Sequence, residues 1–235
     1  MSKVGTWPKR DERDAHPPLK TRRDAVKILE LIRRSVHSET ALGKISKATH
    51  SDPFRVLIST VLSARTRDPV TEAASERLFA EYPDAKSLSG ASVKKVAALI
   101  KPVAFYNHKA QNIVSAATQI VRNHGGKVPT NYDQLLDLPG VGRKTANCVL
   151  VYGFSEPAIP VDVHVHRISN RIGLAKTERP EETEEVLAAL YDRKYWLDVN
   201  ELMVSFGQTV CKPIGPKCEA CLVKDFCSYY SSKLR

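Results

Sequence analysis

A glycine-containing segment near the middle of the chain contains residue types that suit phosphate binding. It also contains a lysine, whose amine can act as a nucleophile. In order, its residues are Leu138, Pro139, Gly140, Val141, Gly142, Arg143 and Lys144. Glycines permit a tight turn and let backbone N–H groups come close to an anion, which the N-terminal end of a helix favours. The segment therefore predicts a turn that binds a phosphate without reading a base sequence.

An apolar framework surrounds this segment. Its members occur at Leu135, Leu138, Val141, Val149 and Leu150. Ala146 is small enough to let two helices pack closely. This pattern is typical of a helix-hairpin-helix motif with arms at Asn131–Asp137 and Arg143–Tyr152. The alternative is an ordinary corner between two helices, and the combination of Lys144 with Ala146 weighs against it.

Lys144 and Asp162 form a candidate catalytic pair. A helix N-terminus, a neighbouring cation such as Arg143 and partial burial all lower the pKa of a lysine and make its amine a better nucleophile. Such an amine can attack an electrophilic sugar carbon and form a Schiff base, while a carboxylate stabilises positive charge on the sugar. Alone, Asp162 indicates only a helix N-cap and Lys144 only a phosphate contact, whereas together they favour catalysis. His164 can orient Asp162 or contact a phosphate.

Four cysteines near the end of the chain have the spacing Cys-x6-Cys-x2-Cys-x5-Cys. They are Cys211, Cys218, Cys221 and Cys227. Four thiolates in a short, loop-rich segment predict a tetrahedral metal site or an iron–sulfur cluster rather than disulfides. Structural zinc is the main competitor, but zinc sites usually carry two Cys-x2-Cys pairs and this segment has one, so a cubane cluster fits better. The fifth cysteine, Cys148, is interpreted as a core residue.

Composition narrows the class of protein. Lys and Arg outnumber Asp and Glu by 36 to 26 in 235 residues, which gives a net charge of +10 and suits a polyanionic partner. No apolar run is long enough to span a bilayer, and residues 1–24 lack the apolar stretch of a secretory signal. We therefore expect a cytoplasmic protein, associated with the nucleoid if the organism is prokaryotic.

Apolar periodicity predicts helices almost throughout, and hence an all-α fold. A capping-box pattern at Thr21–Asp24 precedes the first helix, and Asp52 and Asp68, each followed by proline, mark two further helix starts. Later helices are predicted at Val93–Ile100, Asn107–His124, Val163–Ile172, Pro180–Tyr191 and Tyr195–Gly207. Ala158–Val165 alternates like a strand, but an extended approach to a helix capped by Asp162 is favoured.

The hairpin segment, the Val-Asp-x-His segment at 161–164 and the four cysteines together resemble the endonuclease III family of DNA glycosylases. The resemblance covers about Asp24 to Tyr229. It implies two helical lobes flanking a DNA cleft. Residues 46–156 would form a six-helix domain with the hairpin motif at about 131–153. Residues 21–45 with 157–235 would form an iron–sulfur cluster domain. Residues 1–20 lie outside the resemblance, and their composition predicts a flexible basic arm.

The resemblance also implies a function. The expected protein is a bifunctional DNA glycosylase and AP lyase of base excision repair, acting as a monomer on double-stranded DNA that contains damaged bases or abasic sites. Oxidised or ring-saturated pyrimidines are flipped out, the Lys144 amine displaces the base at C1′, Asp162 assists, and β-elimination cuts the strand 3′ to the lesion. The four cysteines would hold a [4Fe-4S] cluster. The implied DNA contacts are Gly140, Val141, Gly142, Arg143, Arg65, Phe105 and His164.

Two positions depart from the family pattern. Arg65 stands where a glutamine often fills the gap left by the flipped base, and Phe105 stands where a leucine wedge is usual. Both can still intercalate, since phenylalanine is a known wedge, and Arg65 can instead alter opposite-base preference.

On the helix after Asp162, we expect His166, Arg167 and Arg171 to form a solvated or phosphate-facing side.

Other classes remain as alternatives. Adenine-mismatch glycosylases share the hairpin and the cluster but usually lack the lysine and carry a glutamate at the place of Thr60. A thymine-mismatch glycosylase typically has a different residue at the place of Lys144. A non-catalytic DNA-binding module is disfavoured by the presence of both Lys144 and Asp162. A zinc-dependent structural protein is a further alternative. The colour of the purified protein distinguishes it, because an iron–sulfur protein is brown and a zinc protein is colourless.

Overall fold

The computed structural model describes residues 20–36, 40, 43–44, 47 and 52–233. The basic arm expected at residues 1–20 lies outside this part of the chain, Lys20 excepted. Every regular element within the described residues is helical, which confirms the all-α prediction. None of these helices combines the length and the apolar character that a membrane span requires.

Twelve α-helices are present in the described residues. They are α1 (Arg22–Ser35), α2 (Pro53–Ser63), α3 (Asp68–Glu81), α4 (Ala85–Ser89), α5 (Val93–Ile100), α6 (Tyr106–His124), α7 (Tyr132–Leu136), α8 (Arg143–Cys148), α9 (Val163–Ile172), α10 (Pro180–Leu190), α11 (Trp196–Thr209) and α12 (Ser228–Lys233). Short 3-10 turns lie at Arg193–Tyr195 and Lys224–Phe226, and a π-helix at Val149–Gly153 continues α8. Periodicity predicts neither α4 nor α12, because their five and six residues are too few to establish a helical repeat.

The helix starts follow the residues that satisfy their first N–H groups. The Thr21 hydroxyl accepts the Asp24 N–H at 3.1 Å while the Asp24 carboxylate accepts the Thr21 N–H, so the capping box is confirmed. Asp52 caps α2 as predicted. Asp68 does not cap α3: it is the first helical residue, where its negative charge faces the positive end of the helix dipole.

The described chain divides into two compact units. The first, here the hairpin unit, comprises the described residues between 43 and 156. The second, the cysteine unit, comprises 20–36, 40 and 157–233. The two units account for the lobes that the sequence led us to expect, and their exact boundaries stay a prediction.

Each unit has its own apolar core. In the hairpin unit, fully buried positions include Leu57, Leu62, Leu88, Ile113 and Ile120. In the cysteine unit they include Ile28, Ile32, Val165, Ile168 and Met203. Burial of such a side chain contributes about 1.5–3 kcal/mol, so these two cores fix the helices from which the functional side chains project.

Candidate active site

The predicted hairpin is present, and its apolar framework holds it together. Asn131 caps α7 by accepting the Gln134 N–H at 3.1 Å. In the turn that follows, the Val141 N–H donates to the Leu138 carbonyl at 3.1 Å, and both side chains are buried. The turn therefore has one fixed shape and delivers the chain directly into α8.

The fold constrains the two glycines of the turn differently. Gly140 has a φ of +81°, and a Cβ there would lie 2.9 Å from the side-chain nitrogen of Asn112 on α6. Gly142, the N-cap of α8, has a φ of −108°, and a Cβ there would meet no described atom within 4 Å. The fold thus explains the glycine at 140 but not the glycine at 142.

The second arm of the hairpin is only partly the regular helix that periodicity predicts. The α-helix ends at Cys148 and continues as the π-helix Val149–Gly153, a change that apolar spacing does not reveal. Ala146 is fully buried, as close helix packing requires, and so is Cys148, which confirms its assignment to the core. π-Helical turns occur frequently at functional sites.

Lys144 lies in the first turn of α8. It is the second residue of that helix, directly after Arg143, and both side chains are half-buried. This position next to the hairpin turn is the one that the sequence predicts. The expected lowering of the Lys144 pKa stays a prediction.

Asp162 is the N-cap of α9. Its Oδ1 atom accepts the backbone N–H groups of His164 and Val165, each at 2.9 Å. Among the described residues, Oδ2 has no hydrogen-bond partner. The interpretation of Asp162 as a cap is therefore confirmed, and the cap leaves one carboxylate oxygen for a second role. Lys144 belongs to the hairpin unit and Asp162 to the cysteine unit, and their pairing stays a prediction.

The hairpin unit brings Arg65 and Phe105 together. The guanidinium carbon of Arg65 lies 5.9 Å from the centroid of the Phe105 ring, within reach of a cation–π contact. Both residues are exposed, Phe105 to 64% of its area, and both have positive φ values, 55° and 57°. A large exposed apolar ring in a left-handed conformation is uncommon, and it indicates a constraint other than packing.

Arg167 corrects one prediction from the sequence. Instead of facing solvent, it bonds through Nη2 to the carbonyl oxygens of Cys211 at 2.9 Å and Gly207 at 3.3 Å. The same nitrogen lies 3.2 Å from His164 Nδ1. Arg167 thus links the first turn of α9 to the first of the four cysteines.

Arg171 and His166 also bind protein rather than solvent. Arg171 Nη1 donates to the Lys212 carbonyl at 2.7 Å and lies 3.7 Å from Cys211 Sγ, and its guanidinium stacks 4.8 Å from the Tyr229 ring. His166 Nδ1 lies 2.7 Å from the Thr183 hydroxyl. The prediction of a solvated side was wrong for these groups, because helical spacing gives the direction of a side chain, not the segment that covers it. A phosphate contact by any of them stays a prediction.

The four clustered cysteines line one cavity of the cysteine unit. Its walls also include apolar side chains such as Phe206 and Val223, and all four cysteines are free thiols. Burial raises the pKa of the Cys221 and Cys227 thiols, and negative charge on the other cysteines raises it further. Four thiolates here therefore require positive charge, which suits a bound metal centre. Among the described residues, no three His, Cys, Asp or Glu side chains converge as ligands of a single metal ion.

Comparison with known proteins is consistent with this arrangement. Residues 58–193 match the family described as HhH-GPD superfamily base excision DNA repair protein. Endonuclease III of Thermotoga maritima is 52% identical over 180 residues, which cover 77% of this chain and 84% of that protein. Endonuclease III of Bacillus subtilis is 34% identical over 179 residues, covering 76% and 82%.

Solved structures give the same relationship. The fold is similar to that of a trapped endonuclease III–DNA covalent intermediate, with a TM-score of 0.81 and 29% identity over 92% of this chain and 100% of that chain. It is also similar to a thermostable thymine-DNA glycosylase, with a TM-score of 0.77 and 26% identity over 90% and 97%. The chain therefore belongs to the HhH-GPD superfamily of base excision DNA repair proteins and, within it, to the endonuclease III family.

Proposed function

We propose that this protein is a bifunctional DNA glycosylase and AP lyase of base excision repair, in which Lys144 is the nucleophile. The observation that carries the proposal is the place of Lys144, in the first turn of α8 directly after the hairpin turn. The 52% identity to an endonuclease III supports the assignment, as does the likeness to an endonuclease III trapped covalently on DNA.

The reaction needs a neutral amine at Lys144. Its nitrogen attacks C1′ of the damaged nucleotide, the bond from C1′ to the base breaks, and the base leaves with a proton. The C1′–O4′ bond of the sugar then breaks, O4′ takes up a proton, and the open-chain Schiff base that forms makes the C2′ proton acidic. Loss of that proton and breakage of the 3′ C–O bond complete β-elimination, and water then releases the enzyme from the sugar.

Asp162 is proposed to stabilise positive charge on the sugar while the base departs. Its role as the N-cap of α9 supports this, because two backbone bonds to Oδ1 fix the carboxylate without engaging Oδ2. A rigid carboxylate needs no reorganisation when charge develops on the sugar, and this is the source of its catalytic effect.

The hairpin turn is proposed to hold a DNA phosphate. The absence of a side chain at Gly142 has no explanation within the described protein, since a Cβ there would lie in open space. Close approach of a phosphate to the backbone would account for it. The net charge of +10 favours the same partner by releasing counterions from DNA.

The four clustered cysteines are proposed to hold a [4Fe-4S] cluster. The pKa values of the Cys221 and Cys227 thiols, which burial raises, fit a donor set that needs positive charge. The single Cys-x2-Cys pair among the four cysteines favours a cubane cluster over zinc. When bound, the cluster supplies positive charge to the thiolates and cross-links the loop. Lys212 and Lys217 are exposed on that loop and can meet phosphates.

We further propose that the substrates are oxidised or ring-saturated pyrimidines in DNA, and that the protein acts in the cytoplasm. The test uses duplexes with one dihydrouracil, thymine glycol or G·T mismatch, borohydride as the trapping agent, and the Lys144→Ala variant. Lys127→Ala, which removes an exposed lysine of the same unit, is the control. A covalent adduct on oxidised pyrimidines with wild type and control, absent for Lys144→Ala, supports the proposal. Base release without an adduct, or an equal adduct with Lys144→Ala, would overturn it.

A further inference from the structure

Lys109 on α6 is a buried lysine that the proposed reaction does not use. Only 6% of it is exposed. Its Nζ atom donates to the carbonyl oxygens of Ala64 at 2.6 Å and Leu62 at 2.8 Å, and to the Thr66 hydroxyl at 3.3 Å. An ammonium group has three N–H donors, so each has one acceptor. Since burial of a charge is costly, such a matched set indicates a specific purpose.

The acceptors of Lys109 belong to the end of α2 and to the turn that carries Arg65. The last carbonyls of a helix have no partner within the helix and lie at the negative end of its dipole. Lys109 satisfies the carbonyls of Leu62 and Ala64, on the two sides of the point where α2 ends. It thereby fixes the backbone immediately before Arg65.

Thr66 connects this turn to the segment that carries Phe105. Its hydroxyl accepts the backbone N–H of Ala104 at 3.2 Å, directly before Phe105. The other end of that segment is fixed by Arg77, which donates to the Lys101 carbonyl at 2.8 Å. Lys109 and Thr66 therefore join two segments that are distant in sequence and present Arg65 and Phe105 side by side.

The strained backbone of both presented residues requires such support. A positive φ is unfavourable for a side chain as large as arginine or phenylalanine, and it persists only where the surroundings fix it. The bonds from Lys109 and Thr66 reach the residues next to Arg65 and Phe105, so they provide that fixation.

We propose that Lys109 is a positioning residue that preforms the Arg65–Phe105 pair for base extrusion, holding it ready to enter the space vacated by a flipped nucleotide. The inference rests on the proposed glycosylase function. Burial lowers the pKa of Lys109 to about 8, so near pH 7 the ammonium form, with all three donors, predominates. A preformed pair removes the need to order two segments while the base is leaving the stack.

The test compares two duplexes that differ only opposite the lesion. In one, dihydrouracil faces guanine; in the other, it faces an abasic-site analogue, so extrusion is easier. For Lys109→Met we expect single-turnover base release to fall about tenfold or more on the paired duplex and less than about threefold on the unpaired one. Lys127→Met, at an exposed lysine of the same unit, should match wild type. Equal losses on both duplexes would reduce Lys109 to a merely structural role and overturn the inference.

A double-mutant cycle provides the second readout. If Lys109 acts through Phe105, then Lys109→Met should cause no further loss on the paired duplex in the Phe105→Ala background. If the rate loss of the double variant instead equals the product of the losses of the two single variants, the inference is overturned. If Lys109→Met fails to fold, Thr66→Val replaces it in the comparison of the two duplexes and in the double-mutant cycle. The expected results are the same. Wild type inactive on every duplex would instead count against the proposed function itself.

Discussion

Arg167 donates a hydrogen bond of 2.9 Å to the carbonyl oxygen of Cys211, so the helix that Asp162 begins is tied to the first clustered cysteine. His164, two residues after Asp162, contacts the same guanidinium. A change at the cysteine loop can therefore alter the start of α9, and a change at α9 can loosen the loop. The cysteine loop and the helix that begins at Asp162 thus share one guanidinium.

The first prediction concerns this arginine. Arg167→Met should lower the free energy of unfolding by about 2–3 kcal/mol, because the carbonyls of Cys211 and Gly207 lose a half-buried, charged donor. The content of the proposed [4Fe-4S] cluster should fall as well, since the Cys211 backbone is no longer held. Thermal unfolding and visible absorbance of the purified protein measure the two effects. Arg23→Met, at an exposed arginine of the same unit, is the control, and a stable, fully brown Arg167→Met protein would contradict the prediction.

The second prediction separates the two roles of Asp162. Asp162→Asn keeps a side-chain oxygen that can cap α9, so its unfolding free energy should stay within about 0.5 kcal/mol of wild type. Asp162→Ala removes the cap and should cost about 1 kcal/mol. Both variants lose the carboxylate charge and should release base at least about 100-fold more slowly. An active Asp162→Asn enzyme would leave Asp162 with the capping role alone.

The third prediction contrasts the glycines of the hairpin. Gly140→Ala places a side chain at a φ of +81° against Asn112 and should destabilise the protein by about 1–3 kcal/mol. Gly142→Ala meets no described atom and should cost less than about 1 kcal/mol. Its effect should instead be a weaker affinity for a duplex with an abasic-site analogue, measured by fluorescence anisotropy. Unchanged affinity in Gly142→Ala would remove the phosphate contact from that residue.

The sequence predicts features that depend on neighbouring residues. The capping box at Thr21, the start of α2 at Asp52 and the apolar framework of the hairpin are set by local hydrogen bonding and periodicity, and all are present. The position of Lys144 at the head of α8 follows from the same local rules.

Features that depend on distant segments are not predictable in this way. The sequence around Lys109 is that of an ordinary amphipathic helix. The end of α2, more than forty residues earlier, supplies carbonyl acceptors for its buried side chain. Arg167 looks like a solvated residue until the cysteine loop covers it. The contact between Arg65 and Phe105 likewise requires two loops to meet. A lysine or arginine in such a helix shows no sequence signal for the carbonyls that will surround it.

The fourth prediction concerns the pH dependence of the free energy of unfolding. It tests the burial of Lys109 without DNA. In the unfolded chain its pKa is the ordinary 10.5, whereas burial lowers the pKa to about 8 in the folded protein. Between these pH values the unfolded chain holds the proton and the folded protein does not, so the free energy of unfolding rises with pH; below pH 8 both forms are protonated and this slope vanishes.

Relative to Lys109→Met, which does not titrate at this position, the unfolding free energy of wild type should therefore increase by about 2–3 kcal/mol from pH 7.5 to pH 10.5. Chemical denaturation of both proteins across this range measures the difference, and the subtraction cancels the titration of the groups that they share. A difference that stays flat would mean that Lys109 keeps its proton in the folded state. The three acceptors would then stabilise the ammonium group enough to offset its burial, and the Arg65 turn would be held by a permanent charge.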